Sequence, residues 1–304
     1  MNISTNMMYQ QLTEAMSTSS NTLTTLQGEV ASGLNYNTPS DAPTIMGQVL
    51  TMTDRISSLN QMGDTVKVVN GSLGAQATAL QSAQGVITKL QAIAIQGLDG
   101  SLAQTDRDAL VAQVTQLKAT LLDIANTQTP TGQYVFAGGN TSSAPYQLNN
   151  SDQTTVSYNG SSAPLRVQVS PTSYEDVAVP GPNAFQITGA DGKNVSVFQV
   201  LDSLNLALTT NDQAKMTTAE NNIKSLSDHI SSTMSVVGAA QNRMSDITAN
   251  VTELTTQTQQ VLSNVRDLDY GTALANLQKQ QVLLQASETL VSQLSKLSLL
   301  NEMK

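Results

Sequence analysis

The sequence predicts a mainly α-helical protein with a small antiparallel β domain inserted in its middle, in which long coiled-coil-like helices from both termini pack together. Three observations predict this fold class. Apolar residues recur in heptads on both sides of the middle, six of the eight prolines fall between 130 and 182, and seven of the ten aromatic residues fall between 134 and 198. Heptads indicate helices that pack side by side, whereas proline breaks helices and aromatic residues favour strands.

The heptads predict four long helical stretches. Apolar residues alternate in steps of four and three over residues 5–30, 45–87, 110–124 and 223–268. The last run spans more than six heptads and is the strongest physical signal in the sequence. Small or polar residues occupy some of the apolar positions, namely Ser19, Gly33, Gly63, Thr233 and Thr258. We therefore expect further helices or neighbouring subunits to complete the burial of these seams.

The middle of the chain is typical of β-hairpins. Residues 154–158 and 165–169 flank an Asn159-Gly160 pair, which favours a left-handed hairpin turn. Residues 184–188 and 194–198 flank a second turn that contains two glycines. Strands inserted between helices in this way predict a small domain whose two ends lie close together.

Composition excludes several classes of function. The net charge of -9 argues against a nucleic-acid binder and against a polybasic membrane-surface protein. The absence of cysteine excludes disulfides, thiolate metal sites and thiol nucleophiles. No Lys or Arg precedes Arg55 and no stretch approaches the ~20 apolar residues of a membrane span, so we expect neither a cleaved signal nor an anchor.

No pattern of reactive residues predicts catalysis. The single histidine, His229, has no triad partners around it and is typical of a helix surface. Acids are isolated or lie at helix starts, where capping explains them. Glycine-rich stretches near 138 and 189 do not match a phosphate-binding loop. We predict that the protein is not an enzyme and has no catalytic, cofactor-binding or metal site.

The helical pattern divides the chain into three predicted parts. Residues 1–44 and 266–304 form terminal assembly helices, which are disordered in the free monomer and fold together on assembly. Residues 45–133 and 199–265 form a bundle of long helices, and residues 134–198 form the inserted β domain. We expect the subunits to pack through Leu12, Met16, Leu23, Leu26, Val30, Leu283, Leu290, Leu294, Leu297 and Leu300.

Several segments resemble the flagellin superfamily. ASGL at 31–34 with PSDAP at 39–43 is similar to its N-terminal signature, and QVLLQAS at 281–287 with LSLLN at 297–301 is similar to its C-terminal one. GQYVFAGGNT at 132–141, followed by Pro145-Tyr146, resembles the hook–filament junction family within that superfamily. This chain lacks the basic residue expected after Ser32-Gly33 and keeps one acid, Asp41, where a pair is usual.

The resemblance implies a structural protein of the bacterial flagellum that joins the hook to the filament and is the adaptor on which flagellin assembles. It implies flagellin, the first hook-associated protein, further copies of this chain in a ring and a cytoplasmic export chaperone as partners. It also implies an extracellular location, reached through the flagellar type III apparatus. A short flagellin that forms the filament itself and a stalked surface adhesin remain as alternatives.

Overall fold

The computed structural model describes most of the chain. It covers residues 2–149, 154–170, 173–176, 178–189 and 192–302, and it describes side chains within these ranges except those of 2–6, 170, 173 and 294–302. The described helices are α1 (Asn2–Ser32), α2 (Pro43–Gly97), α3 (Gln104–Ala125), α4 (Gly181–Phe185), α5 (Val197–Thr210), α6 (Gln213–Arg266) and α7 (Tyr270–Glu302). The described strands are β1 (Tyr146–Leu148), β2 (Val156–Tyr158), β3 (Arg166–Ser170), β4 (Ser173–Asp176), β5 (Gln186–Thr188) and β6 (Asn194–Ser196). The predicted fold class is confirmed.

The chain divides into two compact units. The terminal unit comprises Met1–Leu59 with Glu253–Lys304, and the central unit comprises Asn60–Thr252. Both boundaries lie within long helices rather than in loops. They differ from the predicted boundaries near residues 45 and 265, and the predicted division into three functional parts stays a prediction.

Helices α2, α3, α5 and α6 contribute the helical part of the core of the central unit. Its fully or almost fully buried residues include Leu73, Leu80, Ile87, Leu90, Val114, Leu121, Leu201, Leu204, Leu208, Ile223, Leu226 and Ile230. The predicted heptad of α6 is confirmed here, since its positions are buried or half-buried from Ile223 to Val251. Helix α5 begins with a capping box in which Ser196 and Gln199 exchange hydrogen bonds with each other's backbone N–H.

Helix α6 begins with a carboxylate cap. Asp212 Oδ1 accepts the N–H groups of Ala214 and Lys215, each at 3.1 Å. The Lys215 N–H is the main reason that the pKa of Asp212 lies below its ordinary value of 3.8. The charged form of Asp212 therefore stabilises the start of the helix.

We expect Asp212→Asn to lower the thermal unfolding temperature of the chain at neutral pH and to change it less in acid. Because the pKa is lowered in the folded state, the stabilisation is fully present above the unfolded pKa and is lost as the pH falls through the lower folded pKa. Thermal unfolding of both proteins between pH of about 6 and about 3 measures the difference. If the two unfolding temperatures differ as much at acidic pH as at neutral pH, the charge of Asp212 does not have this role.

An aromatic cluster forms the core of the β region. Phe136 lies 4.9 Å from Phe185, and Tyr146 lies 5.9 Å from Phe185 and 5.3 Å from Phe198, between ring centroids. These rings come from the loop before β1, from β1 itself, from α4 and from α5, so the cluster joins segments that are distant in the chain. The clustering of aromatic residues in the sequence thus marks a real local core.

Gly181 fits against two tyrosines of this region without room for a side chain. A Cβ atom at this position would lie 2.5 Å from Tyr158 Cε2 and 2.6 Å from Tyr146 Oη. We expect Gly181→Ala to lower the free energy of unfolding by about 1–3 kcal/mol through overpacking. Gly85→Ala is the control, because a Cβ atom there meets nothing within 4 Å and alanine favours the helix. Urea unfolding measures both variants, and equal stabilities would contradict the prediction.

One of the two predicted hairpins is wrong. β2 pairs with β1 rather than with residues 165–169, and Tyr158 lies opposite Tyr146, with 5.1 Å between the ring centroids. β3 pairs with β4 instead. Asn159 does not form the predicted left-handed turn. Among the described non-glycine residues, a positive φ occurs at Asn211 and not at Asn159. The physical reason is that the Asn159 N–H donates to the Pro145 carbonyl at 2.7 Å, which continues the pairing with the β1 side.

The second predicted hairpin is confirmed in its pairing but with shorter strands, because residues 184–185 belong to α4 and residues 197–198 to α5. β5 pairs with β6 in an antiparallel register that places Ile187 opposite Val195. The Gly189 N–H donates to the Lys193 carbonyl at 2.8 Å, and Gly192 has a φ of +76°, which favours glycine. Each described sheet has two antiparallel strands, so the β region consists of hairpins attached to helices rather than of one continuous sheet.

Candidate functional site

Helices α1 and α7 of the terminal unit pack against each other in antiparallel directions. Gln280 Nε2 donates to Ser19 Oγ at 2.8 Å, near the middle of both helices. Tyr270, at the start of α7, lies against Gly33, just after the end of α1. Ser19 is buried, so this hydrogen bond satisfies a polar group inside the helix pair.

The heptad predicted for α1 faces this contact. The predicted packing residues of α1 are all half-buried, namely Leu12, Met16, Leu23, Leu26 and Val30. On α7 the covered positions also follow steps of four and three, and they are Ala273, Leu277, Gln280, Leu284, Ser287 and Val291. The pair is thus a short two-helix seam with small or polar residues at several positions.

The predicted packing leucines of α7 do not belong to this seam. Leu283 is 47% exposed and Leu290 is 51% exposed. The side chains of Leu294, Leu297 and Leu300 lie outside the described residues. Val282, at 65% exposure, is also uncovered on this helix. A role of all ten predicted residues in packing between subunits stays a prediction, but α7 clearly has an apolar surface that the monomer does not cover.

Leu283 borders a groove beside the helix pair. The groove has a volume of about 550 Å³ and is lined by Gln11, Glu14, Ala15, Thr18 and Ser19 of α1 and by Gln280, Leu283 and Ser287 of α7. Its walls combine small side chains with one exposed leucine. A groove of this kind can accept an apolar side chain from another helix.

The two connections of the terminal unit are joined by backbone hydrogen bonds. Leu34, between α1 and α2, forms an antiparallel bridge with Asp267, between α6 and α7. The Leu268 N–H donates to the Gly33 carbonyl at 2.9 Å, and the Asn35 N–H donates to the Arg266 carbonyl at 2.8 Å. We call residues 33–35 with 266–268 the elbow clip. It holds the end of α1 beside the start of α7.

Gly33 is required for the shape of the elbow clip. Its φ is +73°, and a Cβ atom would lie 2.8 Å from Tyr270 Oη. The expectation that Gly33 occupies a seam position is therefore wrong: α1 ends at Ser32, and Gly33 is the left-handed residue that follows it. The predicted heptad of 223–268 is wrong at its end, because α6 ends at Arg266 and Leu268 lies in the connection that follows. Sequence reasoning therefore missed residues 266–268 as the partner of Gly33.

Asp41 is satisfied within its own turn. Its carboxylate accepts the N–H of Thr38 at 2.8 Å and that of Asn37 at 3.2 Å. These hydrogen bonds, with that from Thr38 the strongest, lower the pKa of Asp41 below its ordinary value. The single acid of the PSDAP segment thus shapes the connection between α1 and α2, which is a role within the subunit.

Two side-chain amides attach the β region of the central unit to helices. Gln76 of α2 is fully buried; its Nε2 donates to the Val179 carbonyl at 3.0 Å, and its Oε1 accepts the Val179 N–H at 3.2 Å. The same Nε2 also donates to the Val135 carbonyl. Asn126, after α3, pairs in the same way with Tyr146, at 2.8 and 3.0 Å. Neither amide belongs to a recognisable motif, so sequence reasoning missed both.

The residues considered for chemistry occupy structural positions. His229 Nε2 donates to the Asn183 carbonyl at 2.9 Å, which joins α6 to α4. Within the described ranges, no three His, Asp or Glu side chains are grouped so that they could hold a metal ion. None of the helices in that part of the chain combines the length and apolar character needed to cross a membrane.

Two protein-family models match this chain. The family model described as the bacterial flagellin N-terminal helical region matches residues 3–141, and the one described as the bacterial flagellin C-terminal helical region matches residues 212–302. Together they cover well over half of the chain and contain both helices of the terminal pair. The chain belongs to the flagellin family.

The most similar relatives include both hook-associated proteins and flagellins. The chain is 24% identical over 318 residues to flagellar hook-associated protein 3 of Salmonella typhimurium, which covers 94% of this chain and 95% of the relative. It is 23% identical to flagellar hook-associated protein 3 of Escherichia coli K12, with 98% of each chain covered. It is 22% identical to a flagellin of Listeria monocytogenes, over 96% of this chain and 95% of the relative. These relatives are components of the flagellum.

Solved structures share the fold. A putative flagellar hook-associated protein from Vibrio parahaemolyticus has a TM-score of 0.66 at 20% identity, over 75% of this chain and 100% of that one. Hook-associated protein 3 from Legionella pneumophila has a TM-score of 0.62 at 16% identity, over 71% of this chain and 98% of that one. Long helices around an inserted β region are therefore the fold of a known structural group.

Proposed function

We propose that this chain is a structural protein of the bacterial flagellum that forms the junction between hook and filament and is the adaptor on which flagellin assembles. The observation that carries the proposal is the apolar surface that the terminal unit leaves uncovered. Two relatives that match nearly the whole chain are named flagellar hook-associated protein 3, which supports the junction over the filament itself. The GQYVFAGGNT segment at 132–141 supports the same choice.

The terminal unit has little core of its own. Its buried apolar side chains, among those described, are Leu59, Leu262 and Ala273. By contrast, its exposed large apolar side chains are Met7, Met8, Tyr9, Leu50, Leu254, Val261, Tyr270, Leu274, Val282, Leu283 and Leu290. So many exposed large apolar side chains, on a unit with so few buried ones, are typical of surfaces that partners cover. Covering one leucine fully contributes up to about 3 kcal/mol, so burial by neighbours supplies the driving force for assembly.

The partners follow from this position in the flagellum. Copies of this chain form a ring, with the first hook-associated protein on the hook side and flagellin on the other. The assembly helices 1–44 and 266–304 make the contacts between subunits of the ring, while residues 45–133 and 199–265 form the helix bundle and residues 134–198 form the β domain. A cytoplasmic chaperone holds the chain before export through the flagellar type III apparatus, and the assembled protein is extracellular. It has no cofactor and no catalytic activity.

We predict that α1 and α7 are disordered in the free subunit and become ordered on assembly. Half-buried seams with Ser19, Gln280 and Ser287 at core positions leave an isolated helix pair marginally stable. Hydrogen exchange on the purified chain is expected to be fast throughout both helices and slow in the core helices of the central unit. Slow exchange along the whole of α1 and α7 in the free chain would contradict this prediction.

Two other functions make different predictions. A short flagellin would form the filament itself. The flagellin of Listeria monocytogenes, which matches 96% of this chain, supports this alternative. A stalked adhesin would bind cells or glycans through its β region, where Tyr174 is an exposed aromatic side chain. Purified chain that binds host cells or glycans would favour the adhesin.

Deletion of the gene tests the junction directly. We expect cells without this chain to complete hooks and to release flagellin into the medium, with no filament attached. Complementation with the intact gene restores the filaments. If deletion instead removes the filament subunit itself from both cells and medium, the protein is a flagellin.

A further inference from the structure

We propose that Asn159 is a site of spontaneous deamidation, whereas Asn70, in the same Asn-Gly-Ser sequence, is protected by its helix. The tripeptide occurs at 70–72 and again at 159–161. Both asparagine side chains are exposed. The two sites therefore share local chemistry and solvent access, and they differ in backbone structure.

The reaction uses only the chain and water. The backbone nitrogen of Gly160 attacks the side-chain carbonyl carbon Cγ of Asn159, and a C–N bond forms that closes a five-membered succinimide. The bond from Cγ to Nδ2 breaks, the Gly160 N–H proton passes to the leaving nitrogen through solvent, and ammonia departs. One water molecule then opens the ring to aspartate or isoaspartate, with no change of oxidation state.

The backbone at Asn159 leaves the attacking group available. Asn159 follows the last residue of β2 and lies in no helix or strand. The Gly160 N–H forms no hydrogen bond with the part of the chain that the structure describes. The Asn159 side-chain amide has one long contact, from Nδ2 to Gln147 Oε1 at 3.4 Å. Glycine also places no Cβ atom beside its nitrogen, which lowers the steric barrier to attack on Cγ.

At Asn70 the attacking group, the backbone nitrogen of Gly71, is not available. Asn70 and Gly71 lie near the middle of α2, far from both of its ends. In an α-helix each N–H donates to the carbonyl four residues earlier, so the Gly71 nitrogen is held by the helix. Ring closure at Asn70 requires local opening of several turns that pack on the core of the central unit.

The product changes the joint between β2 and the segment that follows it. Deamidation adds a carboxylate to a chain whose net charge is already -9. Isoaspartate also adds one methylene to the backbone beside Tyr158, whose hydroxyl lies 2.8 Å from the Ser161 carbonyl. Ser161 in turn donates its N–H to the Ala137 carbonyl at 2.9 Å, so the longer backbone disturbs a packed contact.

Peptide mass spectrometry of the full chain tests the proposal. The purified native protein is incubated at mildly alkaline pH, and the deamidated fraction is followed at both asparagines over time. We expect at least about tenfold faster deamidation at Asn159 than at Asn70, because the helix must open before Asn70 can react. In urea the helix is lost, and the two sites are expected to react at similar rates.

A second variant identifies the site. Asn159→Gln keeps an amide but requires a six-membered ring, so the acidic form that ion exchange separates from the aged wild-type protein is expected to disappear. Native rates that are equal at the two asparagines would overturn the proposal. So would an unmodified Asn159 in native protein that reacts readily in urea, because the folded loop would then be protective.

Discussion

Replacing Leu283 and Leu290 together by serine is expected to abolish attachment of the filament while leaving the fold of the central unit unchanged. Both side chains lie on α7, outside the central unit, and about half of each is exposed. In an assembly that covers the exposed half of each side chain, each substitution removes up to about 1.5 kcal/mol of stabilisation. The sum of about 3 kcal/mol weakens each subunit contact about a hundredfold, since each ~1.4 kcal/mol is a factor of ten.

Electron microscopy of the cells and analysis of the medium measure this effect. The double variant is expected in the medium together with unassembled flagellin, and the hooks are expected to lack filaments. Leu206→Ser is the matched control, because Leu206 is equally exposed, at 52%, but belongs to the central unit. Normal filaments in the double variant would contradict the role of this surface. Absence of the variant from the medium would indicate an export defect instead.

Gln76→Leu is expected to lower the free energy of unfolding by about 3 kcal/mol or more. The substitution removes the partners of the Val179 N–H, the Val179 carbonyl and the Val135 carbonyl. Each buried polar group without a hydrogen bond costs about 1–3 kcal/mol, and leucine cannot replace any of the three bonds. The change should therefore release the β region from α2.

Urea unfolding of the full chain measures the loss. The control is Gln81→Leu, which changes an exposed glutamine of the same helix and is expected to alter stability by less than about 0.5 kcal/mol. Equal stabilities of the two variants would show that the Gln76 hydrogen bonds contribute little. Loss of near-ultraviolet circular dichroism from the tyrosines at low urea in Gln76→Leu would locate the damage in the β region.

The helical seams could be predicted because their signal is local and repetitive. Seam residues recur with a period of 3.5 residues from 223 to 268, and these positions are buried or half-buried as far as Val251. Beyond that point the same pattern places Leu254 and Val261 on an exposed surface. The pattern predicts which side of a helix is apolar, but the partner that covers it need not belong to the same chain.

The pairing of the β region could not be predicted with the same success. An Asn-Gly pair favours a tight turn locally. In the folded chain, however, β2 pairs with the earlier strand β1, where Tyr146 lies opposite Tyr158 and the Pro145 carbonyl accepts the Asn159 N–H. The amides of Gln76 and Asn126 are a similar case. Gln76 meets Val179 across 103 residues, and a single glutamine carries no pattern that distinguishes it from its surface neighbours.

The elbow clip lies between these cases. A glycine after a helical pattern is a known helix-ending signal, and Gly33 acts in this way. Gly33 also falls at a heptad position, where a glycine is compatible with a weakly packed seam. The sequence alone therefore did not reveal that it ends the helix. Its hydrogen-bonded partner, Leu268, is more than 230 residues away, and only the folded chain shows that the two connections meet.

Immunogold labelling measures where along the flagellum the protein lies. Antibody raised against residues 134–198 is applied to intact flagella, with flagella from a deletion strain as the control for specificity. One narrow band of label between hook and filament is the result that the junction role predicts. Label along the whole filament, or none on the flagellum, would contradict it.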